Sequence, residues 1–497
     1  MSSEEYLHLC QTCDAILHEK GASISTAAIA WLHVLNEHPS NQLKYAVLFN
    51  KQLAVKPILY RTLVFEFIRD IVISIKSSSR KSVEPIFKHK SQVLFISHLL
   101  NKDQISIGSD FYFGRLPEIL NQRGISAASI LVNHSTLEGE DLKREWKNSC
   151  PIKTPFPETL NIFDELYIRI LLLKQSLRLR LKSWIEKEVF KKKVYINSSH
   201  EALSQSSIFS LRAYLFVKKV VEKCDTSAVV TTFEGHAYER MIFAAANTSK
   251  KKVYSLGYHH TIIFPQQHAA FRMVDKKFRP QHILTAGKIT NEEFSKRIPT
   301  SRVHNIGIHR TASIDTSIPD ISGKPSTCII LPDGIISEVL ILFRFAINTA
   351  KLAPEITFIL RLHPVLKKEE LLNLYPEFRI LPGNVSFSTN DFAKDLKGAR
   401  WALYRGSNSA IYAAMEGIRP VYVSIPNELQ IDSLNKFVNW KKTITEIPEL
   451  IAIINDDLLS TIKKLEEESK ETINFCRQYF MPLDVSKFLD VIDSCRN

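Results

Sequence analysis

The chain has 497 residues, of which 45% are hydrophobic and 24% charged, and its formal net charge is +13. This length and composition exclude a disordered or fibrous chain and predict two globular domains. No apolar run approaches the ~20 residues of a membrane span, and the start Met1–Glu5 lacks the basic and apolar parts of a signal peptide, so we expect a cytoplasmic protein.

The cysteines and the charge limit the partners. The seven cysteines are dispersed and odd in number, which argues against a disulfide framework. Cys10 and Cys13 form a CxxC pair, but the chain has no second pair at the spacing of a zinc site, so we expect no zinc there. No Asp-x-Asp pair stands at a predicted strand end, so we expect no metal and no cofactor. The positive charge favours an anionic partner, such as a nucleotide sugar or a membrane surface. Nucleic-acid-binding motifs are missing, so we expect no nucleic-acid partner.

The first elements predict a helical extension followed by a sheet. Residues 1–90 carry helix-spaced apolar positions and no recognisable chemistry. Apolar runs at 92–97 and 128–133 predict buried strands. Residues 140–225 have a helical pattern, and we interpret them as an insertion into an N-terminal domain of residues 91–308.

The densest basic stretch, at residues 174–193, lies inside this insertion. Its leucines, Trp184 and Ile185 are interleaved with lysine and arginine. The pattern is typical of two structures: a helix that packs its leucines on the core, which we favour, or an amphipathic helix at a membrane surface. The second interpretation predicts a peripheral contact with the inner face of the membrane.

Two blocks of strand–helix alternation follow, at 228–306 and 327–424. Between them, residues 309–326 are rich in Pro, Gly, Ser and Asp and predict a linker. A C-terminal domain of residues 327–456 is followed by helices at 457–497. The fold class is therefore α/β, with two Rossmann-like domains that face each other across a cleft at the carboxyl ends of their strands.

The most informative motif follows a predicted strand at 401–404 and opens a helix. Glycine permits a tight turn there, and the free amides and helix dipole suit a phosphate. The alternative is an ordinary capped helix. The candidate donor-binding residues are Arg405, Gly406, Ser407, Asn408, Ser409 and, at the far end of the helix, Glu416.

Two further motifs follow strands of the same half. Pro364 stops its strand and presents His363, which can donate to a phosphate and assist the departure of a nucleotide. Pro364 and Arg361, which lies just before this pair, are candidate substrate-binding residues. Asp333 and Gly334 form a turn in which the carboxylate can approach a substrate closely. The alternative for this pair is a turn that uses Asp and Gly for backbone reasons.

A fourth motif, Glu234-Gly235, ends a strand of the first half. We expect Glu234 to face the cleft from the opposite wall to Asp333. One carboxylate on each wall suits displacement at a sugar carbon. Further candidates in this half are the substrate-binding residues His259 and His260 and, as a fallback acid or base, Glu239.

With these motifs in place, residues 225–430 resemble bacterial CMP-sugar transferases, which include sialyltransferases and the Kdo transferases of capsule and O-antigen synthesis. The pair His363-Pro364 resembles their HP motif. Ser407–Ser409 resembles their serine/threonine motif, and Glu234-Gly235 resembles their acidic-glycine motif. The resemblance implies the GT-B arrangement of two Rossmann-like domains.

The resemblance also implies roles for individual residues. His363, Ser407 and Ser409 would hold the CMP phosphate. As in retaining Kdo transferases, Asp333 would be the nucleophile or electrostatic stabiliser, and Glu234 the acid/base. An inverting enzyme would need only Glu234, as the base.

We therefore expect a glycosyltransferase that moves Kdo or a related ulosonic acid from a CMP donor to a growing surface glycan or glycolipid, as in lipopolysaccharide or capsule synthesis. One alternative is a transferase for a UDP-sugar or CDP-glycerol, and another is a nucleotide-sugar epimerase of the same fold. A non-enzymatic alternative is a scaffold that binds nucleotide sugars without turnover.

Overall fold

The computed structural model describes residues 1–19, 23–34, 91–309 and 323–496, apart from 103, 106–108, 136 and 148, and also positions 45, 48, 49, 68, 69, 72, 319 and 321. Most of the predicted extension beyond residue 34 and most of the predicted linker at 309–326 lie outside the described residues.

The N-terminal domain is built on a seven-stranded parallel sheet with the order β3-β2-β1-β4-β5-β6-β7. Its strands are β1 Val93–Leu99, β2 Ala127–Asn133, β3 Ile152–Pro155, β4 Ala228–Thr232, β5 Tyr254–His259, β6 His282–Thr285 and β7 Arg302–Asn305. Parallel strands are buried on both faces, which explains the apolar runs seen in the sequence.

Helices cover both faces of this sheet. They are α1 Ser3–Leu17, α2 Ile24–Ala27, α3 Leu116–Gln122, α4 Gly139–Glu145, α5 Ile162–Ile185, α6 Val189–Glu201, α7 Gln205–Lys223, α8 Ala237–Asn247 and α9 Lys288–Arg297. Short 3₁₀ turns lie at Ala30–His33 and Lys276–Phe278. Along β1, Leu94 and Ile96 belong to the core beneath α5, α7 and α8, whereas Val93 and Phe95 belong to the core on the other face.

The C-terminal domain is a six-stranded parallel sheet with the order β10-β9-β8-β11-β12-β13. Its strands are β8 Thr327–Leu331, β9 Thr357–Leu360, β10 Val385–Phe387, β11 Trp401–Tyr404, β12 Arg419–Val423 and β13 Lys442–Ile444. Its helices are α10 Ile336–Leu352, α11 Lys368–Leu374, α12 Phe392–Lys397, α13 Ser409–Met415 and α14 Ile447–Leu459, with a 3₁₀ turn at Pro376–Arg379.

The last two helices tie the domains together. Helix α15, Ile462–Tyr479, packs on α13, whereas α16, Val485–Arg496, returns to the N-terminal sheet and buries Phe488 there. The main chain passes Gly287 so closely that a Cβ at that position would lie 2.2 Å from the carbonyl oxygen of Tyr479. Only glycine fits at this crossing.

The predicted fold class is confirmed, because each half is a parallel α/β domain. Three elements were not predicted. The edge strand β3 lies within residues 140–225, which we interpreted as a helical insertion, and β13 and α14 lie near the end of the C-terminal domain. The two strands have three or four residues, too few for a periodic pattern to stand out.

Helix α5 bears out the favoured interpretation of the basic stretch only in part, because Leu179 is fully buried in the core whereas the other leucines of the stretch are exposed. Leu173, Leu177, Leu181, Trp184 and Ile185 are at least 50% exposed, so these five side chains do not pack on the core. Other residues of α5 form its buried side. No helix in the described part of the chain is long and apolar enough to cross a membrane.

Candidate functional site

The carboxyl ends of three adjacent strands bring side chains of the N-terminal domain together. The register of β4 against β5 puts Glu234 beside His260. The register of β1 against β4 brings His98 to the same edge of the sheet. The first two of these residues were predicted from the sequence, whereas His98 was not, because it lies within a strand that has no recognisable motif.

Glu234 carries an ionised carboxylate between two histidines. Its Oε2 lies 3.5 Å from Nε2 of His236, and its Oε1 lies 3.5 Å from Nε2 of His260. Partial burial raises the pKa of this carboxyl, but the hydrogen bond with His236 and the charges of His260, His236 and His259 outweigh burial and bring the pKa to about 2. The side chain is 34% exposed, so this carboxylate can accept a proton from an approaching hydroxyl.

Glu239 holds the loop that carries this carboxylate. Its Oε2 accepts hydrogen bonds of 2.8–2.9 Å from the backbone amides of residues 234–236, and its Oε1 accepts one of 2.9 Å from the Thr232 hydroxyl. The fallback role as acid or base does not fit this buried, fully engaged side chain. Gly235 has φ +96°, and a Cβ there would lie 2.4 Å from the carbonyl carbon of Ala269, so the loop requires glycine.

His259, the last residue of β5, and His260, which follows it, face in different directions, because successive side chains of a strand alternate. His259 is fully buried, and its Nδ1 lies 2.8 Å from the carbonyl oxygen of Phe233, so it joins two strand ends inside the core. His260 points to the sheet edge, where its ring lies edge-on to Tyr112 at 4.4 Å and its Nε2 faces Glu234. Of this pair, His260 alone contacts the candidate base.

A hydrogen-bonded line of three residues lies beside this carboxylate. His98 Nδ1 is 2.9 Å from Nε2 of His134, and His98 Nε2 is 3.0 Å from the hydroxyl of Tyr238. Burial is the main cause that lowers the pKa of His98 to about 3, and the charges of His134 and His236 act in the same direction. His98 is therefore neutral at pH 7 and cannot add a positive charge beside the candidate base.

The lowered pKa values of the buried histidines predict that the protein loses stability as the pH falls. Burial also lowers the pKa of His282 to about 4, whereas an unfolded histidine titrates near 6.5. Between these values the unfolded chain binds more protons, so the free energy of unfolding decreases on acidification. We expect His98 to account for about 1 kcal/mol of the decrease from about pH 7.5 to about 5.5.

Urea denaturation of the wild type and of His98→Gln at several pH values measures this effect. The glutamine does not titrate, so the free energy of unfolding of the variant should depend less steeply on pH. Equal pH dependence in the two proteins would contradict the prediction.

Three loops of the C-terminal domain meet at the corresponding edge of its sheet. Strand β8 is central, with β9 on one side and β11 on the other. Their registers put Asp333 beside His363 on one side and beside Gly406 on the other. The three motifs that the sequence analysis placed in this domain therefore share one edge.

The first two of these loops touch each other. Asp333 Oδ1 accepts a hydrogen bond of 2.9 Å from the Ile335 amide, so this carboxylate shapes its own turn. A Cβ on Gly334 would lie 2.8 Å from Cγ2 of Val365 and 3.2 Å from Nδ1 of His363. His363 Nδ1 accepts from the Val365 amide at 3.3 Å, so the neutral ring carries its proton on Nε2, the nitrogen that could donate to a phosphate.

The two arginines predicted to bind the donor form ion pairs within the domain. Arg361 Nη1 lies 2.5 Å from Oδ2 of the buried Asp395. Arg405 is 1% exposed and donates to Glu338 and Glu428, at 2.5 Å each. These contacts correct the sequence prediction, because both charges are neutralised and both side chains hold loops in place. Pro364, beside the first arginine, is exposed.

The turn after β11 is braced by its own polar groups. Ser407 is 4% exposed, and its hydroxyl accepts from the Ser409 amide at 3.2 Å. Asn408 Oδ1 accepts from the Ile262 amide of the other domain at 3.1 Å. Glu416 is exposed at the far end of the 7-residue helix α13, about 10 Å away along its axis, so it does not join this group.

The two sheet edges face each other through these contacts. Ile262 follows His260 by two residues, so its bond to Asn408 joins the edge that carries the candidate base to the serine turn. The next amide, of Ile263, donates to the Tyr479 hydroxyl at 2.5 Å. One hydrophobic cluster also contains residues of both domains.

The described residues offer no preformed metal site: no three His, Cys, Asp or Glu side chains among them form a group that could hold a metal ion. Cys10 and Cys13 are buried in the N-terminal core, and burial raises the pKa of the Cys13 thiol. The pair therefore packs as small apolar side chains.

No protein-family model and no curated protein matches the chain. The glycotransferase of kitacinnamycin is 11% identical, with a TM-score of 0.47 over 81% of this chain and 98% of its own. A putative UDP-N-acetylglucosamine 2-epimerase from Listeria monocytogenes is 12% identical, with a TM-score of 0.47 over 81% of this chain and 95% of its own. An α,α-trehalose 6-phosphate synthase from Burkholderia multivorans is 10% identical, with a TM-score of 0.45 over 82% of this chain and 96% of its own. Likeness this low does not transfer an activity or a donor to this chain.

Proposed function

We propose that this chain is a glycosyltransferase that uses a nucleotide-activated sugar. The observation that carries the proposal is the ionised Glu234 carboxylate, which lies between His236 and His260 on an edge that contacts the serine turn of the other domain. A base on one wall and imidazole and hydroxyl donors on the other suit transfer from a leaving nucleotide to an acceptor hydroxyl.

In this proposal Glu234 is the general base. The acceptor oxygen forms a bond to the anomeric carbon, and its proton passes to a carboxylate oxygen of Glu234. The bond from that carbon to the phosphate oxygen breaks, and its electron pair leaves with the nucleotide. A carboxyl with a pKa of about 2 is a weak base, so the proton moves late, once bond formation has made the hydroxyl acidic.

The same pKa argues for a single displacement, which inverts the configuration at the sugar carbon. A retaining enzyme would need Glu234 to donate a proton first, and a carboxyl ionised at neutral pH does not suit that step. We therefore favour the inverting alternative.

The leaving nucleotide is assigned to the opposite wall. His363, Ser407 and Ser409 are the proposed phosphate contacts, as the motif resemblance implies.

His363→Ala is expected to lower kcat/KM roughly 10- to 100-fold, because it removes a hydrogen bond to a charged group. Steady-state kinetics with varied donor measures the loss. The control is His8→Gln. His8 is exposed on α1, outside the site, so this variant should leave the kinetics unchanged. Equal donor kinetics in His363→Ala and wild type would remove His363 from the site.

The identity of the donor is the finer part of the proposal. A CMP-linked ulosonic acid rests on the motif resemblance alone, and a UDP-sugar or CDP-glycerol is its rival. The test incubates the purified chain with CMP-, UDP-, GDP- and CDP-linked donors and a glycan or glycolipid acceptor, and measures the nucleotide released. Release of CMP from a CMP-linked ulosonic acid supports that donor, whereas release of UDP from a UDP-sugar would replace the donor and keep the reaction class. Release of CMP from CDP-glycerol would instead indicate transfer of glycerol phosphate.

Omitting the acceptor separates the other two alternatives. An epimerase converts the donor sugar without any acceptor, whereas a transferase needs the acceptor for rapid turnover. A scaffold would be stabilised by a nucleotide in a thermal-shift experiment and would release none. Acceptor-independent epimerisation, or binding without release across the whole donor panel, would contradict the proposed transfer.

A further inference from the structure

A second apolar face runs along α5 on the side away from the core. Six side chains form it, and we call them the outer stripe. They are Tyr167 at 51% exposed, Ile170 at 51%, Leu173 at 50%, Leu177 at 56%, Leu181 at 57% and Trp184 at 68%.

Helix geometry explains why these six form one continuous surface. They recur every three or four residues, which places them on the same side of a helix over about 25 Å. Ile168, Leu172 and Leu179 lie on the opposite side and are fully buried. Because this buried side already fixes α5 to the domain, the outer stripe is not needed for packing. An exposed apolar surface of this length marks an interaction site.

The charges around the outer stripe are positive. The basic residues on or beside it are Arg169, Lys174, Arg178 and Arg180. The acidic residues of α5 lie away from the outer stripe, and both are neutralised: Asp164 pairs with Lys219, and the buried Glu165 pairs with Arg212. Arg178 also pairs with Glu19. The surface is therefore complementary to a partner that is both anionic and able to take up apolar side chains.

We propose that the outer stripe docks on an anionic lipid bilayer, with α5 parallel to the membrane plane. The leucines and Ile170 would enter the boundary between headgroups and acyl chains, and the basic side chains would reach the lipid phosphates. Tyr167 and Trp184, near the two ends, carry amphipathic rings of the kind found at this interface. The docking does not require the proposed reaction, although it would suit a lipid-linked acceptor.

Charge disfavours a second copy of the chain as the occupant. Lys174 lies near the middle of the outer stripe, so two copies paired along α5 would bring like charges together in either orientation. The acidic residues of α5 lie off the stripe and are already paired, so they are not placed to relieve this repulsion. An anionic surface relieves it instead.

Co-sedimentation with vesicles tests the proposal. Wild-type protein should bind vesicles of phosphatidylcholine mixed with phosphatidylglycerol and bind phosphatidylcholine alone weakly. The triple variant Leu173→Ser/Leu177→Ser/Leu181→Ser should bind the anionic vesicles at least about tenfold more weakly, because it loses apolar insertion. Lys174→Glu/Arg180→Glu should also lose about tenfold.

A matched triple variant controls for the loss of exposed apolar side chains. Leu352→Ser/Ile380→Ser/Leu459→Ser changes residues that are 65%, 89% and 87% exposed elsewhere, and it should bind as the wild type does. Unchanged melting temperatures would show that all variants fold.

Two outcomes would overturn the proposal. One is equal binding of the wild type and the Leu173/Leu177/Leu181 variant, which includes no binding by either. The other is a lipid-free dimer, detected by light scattering, that this variant abolishes. Neither outcome bears on the donor site, because thermal stabilisation by a nucleotide needs no membrane, so the failure of one proposal is distinguishable from the failure of the other.

Discussion

Replacing Glu234 with glutamine is expected to lower the kcat of glycosyl transfer by roughly 10²- to 10⁴-fold. Glutamine has nearly the same size and can lie between His236 and His260, but its amide cannot accept the proton of the acceptor hydroxyl. The proposed donor contacts lie on the other domain, so the KM for the donor should change little. Nucleotide release with saturating donor and acceptor measures the loss.

Two comparisons make this result specific. Glu467→Gln makes the same chemical change at an exposed position on α15 and should retain wild-type turnover. Thermal stabilisation by the donor nucleotide should persist in Glu234→Gln, which would show that the fold and the donor site survive. Full transfer activity in Glu234→Gln would remove the base from the proposed mechanism.

The motifs at the strand ends could be predicted because their signals are local. A short apolar run followed by glycine, proline or a hydroxyl residue marks the end of a buried strand, and parallel pairing then gathers such ends at one edge. Glu234, Asp333, His363 and Ser407 were found in this way. Whether each one reaches the cleft depends on partners that are distant in sequence.

Those distant partners explain what the sequence analysis missed. His98 becomes part of the site only because β1 lies next to β4 in the sheet, an order that no local pattern contains. Arg361 was expected to bind the substrate, but Asp395 neutralises it from 34 residues further along the chain. The outward leucines of α5 were assigned to the core because a helix with two apolar faces shows the composition of a buried one.

Arg405 shows the consequence of such partners most clearly. Its guanidinium is almost fully buried and joins three segments: it donates to Glu338 at the start of α10, to the carbonyl of Val423 at the end of β12, and to Glu428 in the loop beyond. Burial lowers the pKa of this arginine, but Glu338, Tyr422 and Glu428 outweigh burial and raise it. The side chain is therefore charged, neutralised and structural.

Arg405→Met is expected to lower the free energy of unfolding by about 3–5 kcal/mol, because it leaves the carboxylate of Glu338 buried without its partner. The double variant Arg405→Met/Glu338→Met should recover much of this loss, since apolar side chains of similar volume often replace a buried pair without a large cost. Arg344→Met is the matched control, because the pair Arg344–Glu377 is 54% and 47% exposed and contributes little. Urea denaturation of the four proteins measures the differences. If Arg405 instead bound the donor phosphate, Arg405→Met would weaken nucleotide binding and leave the free energy of unfolding close to that of the wild type.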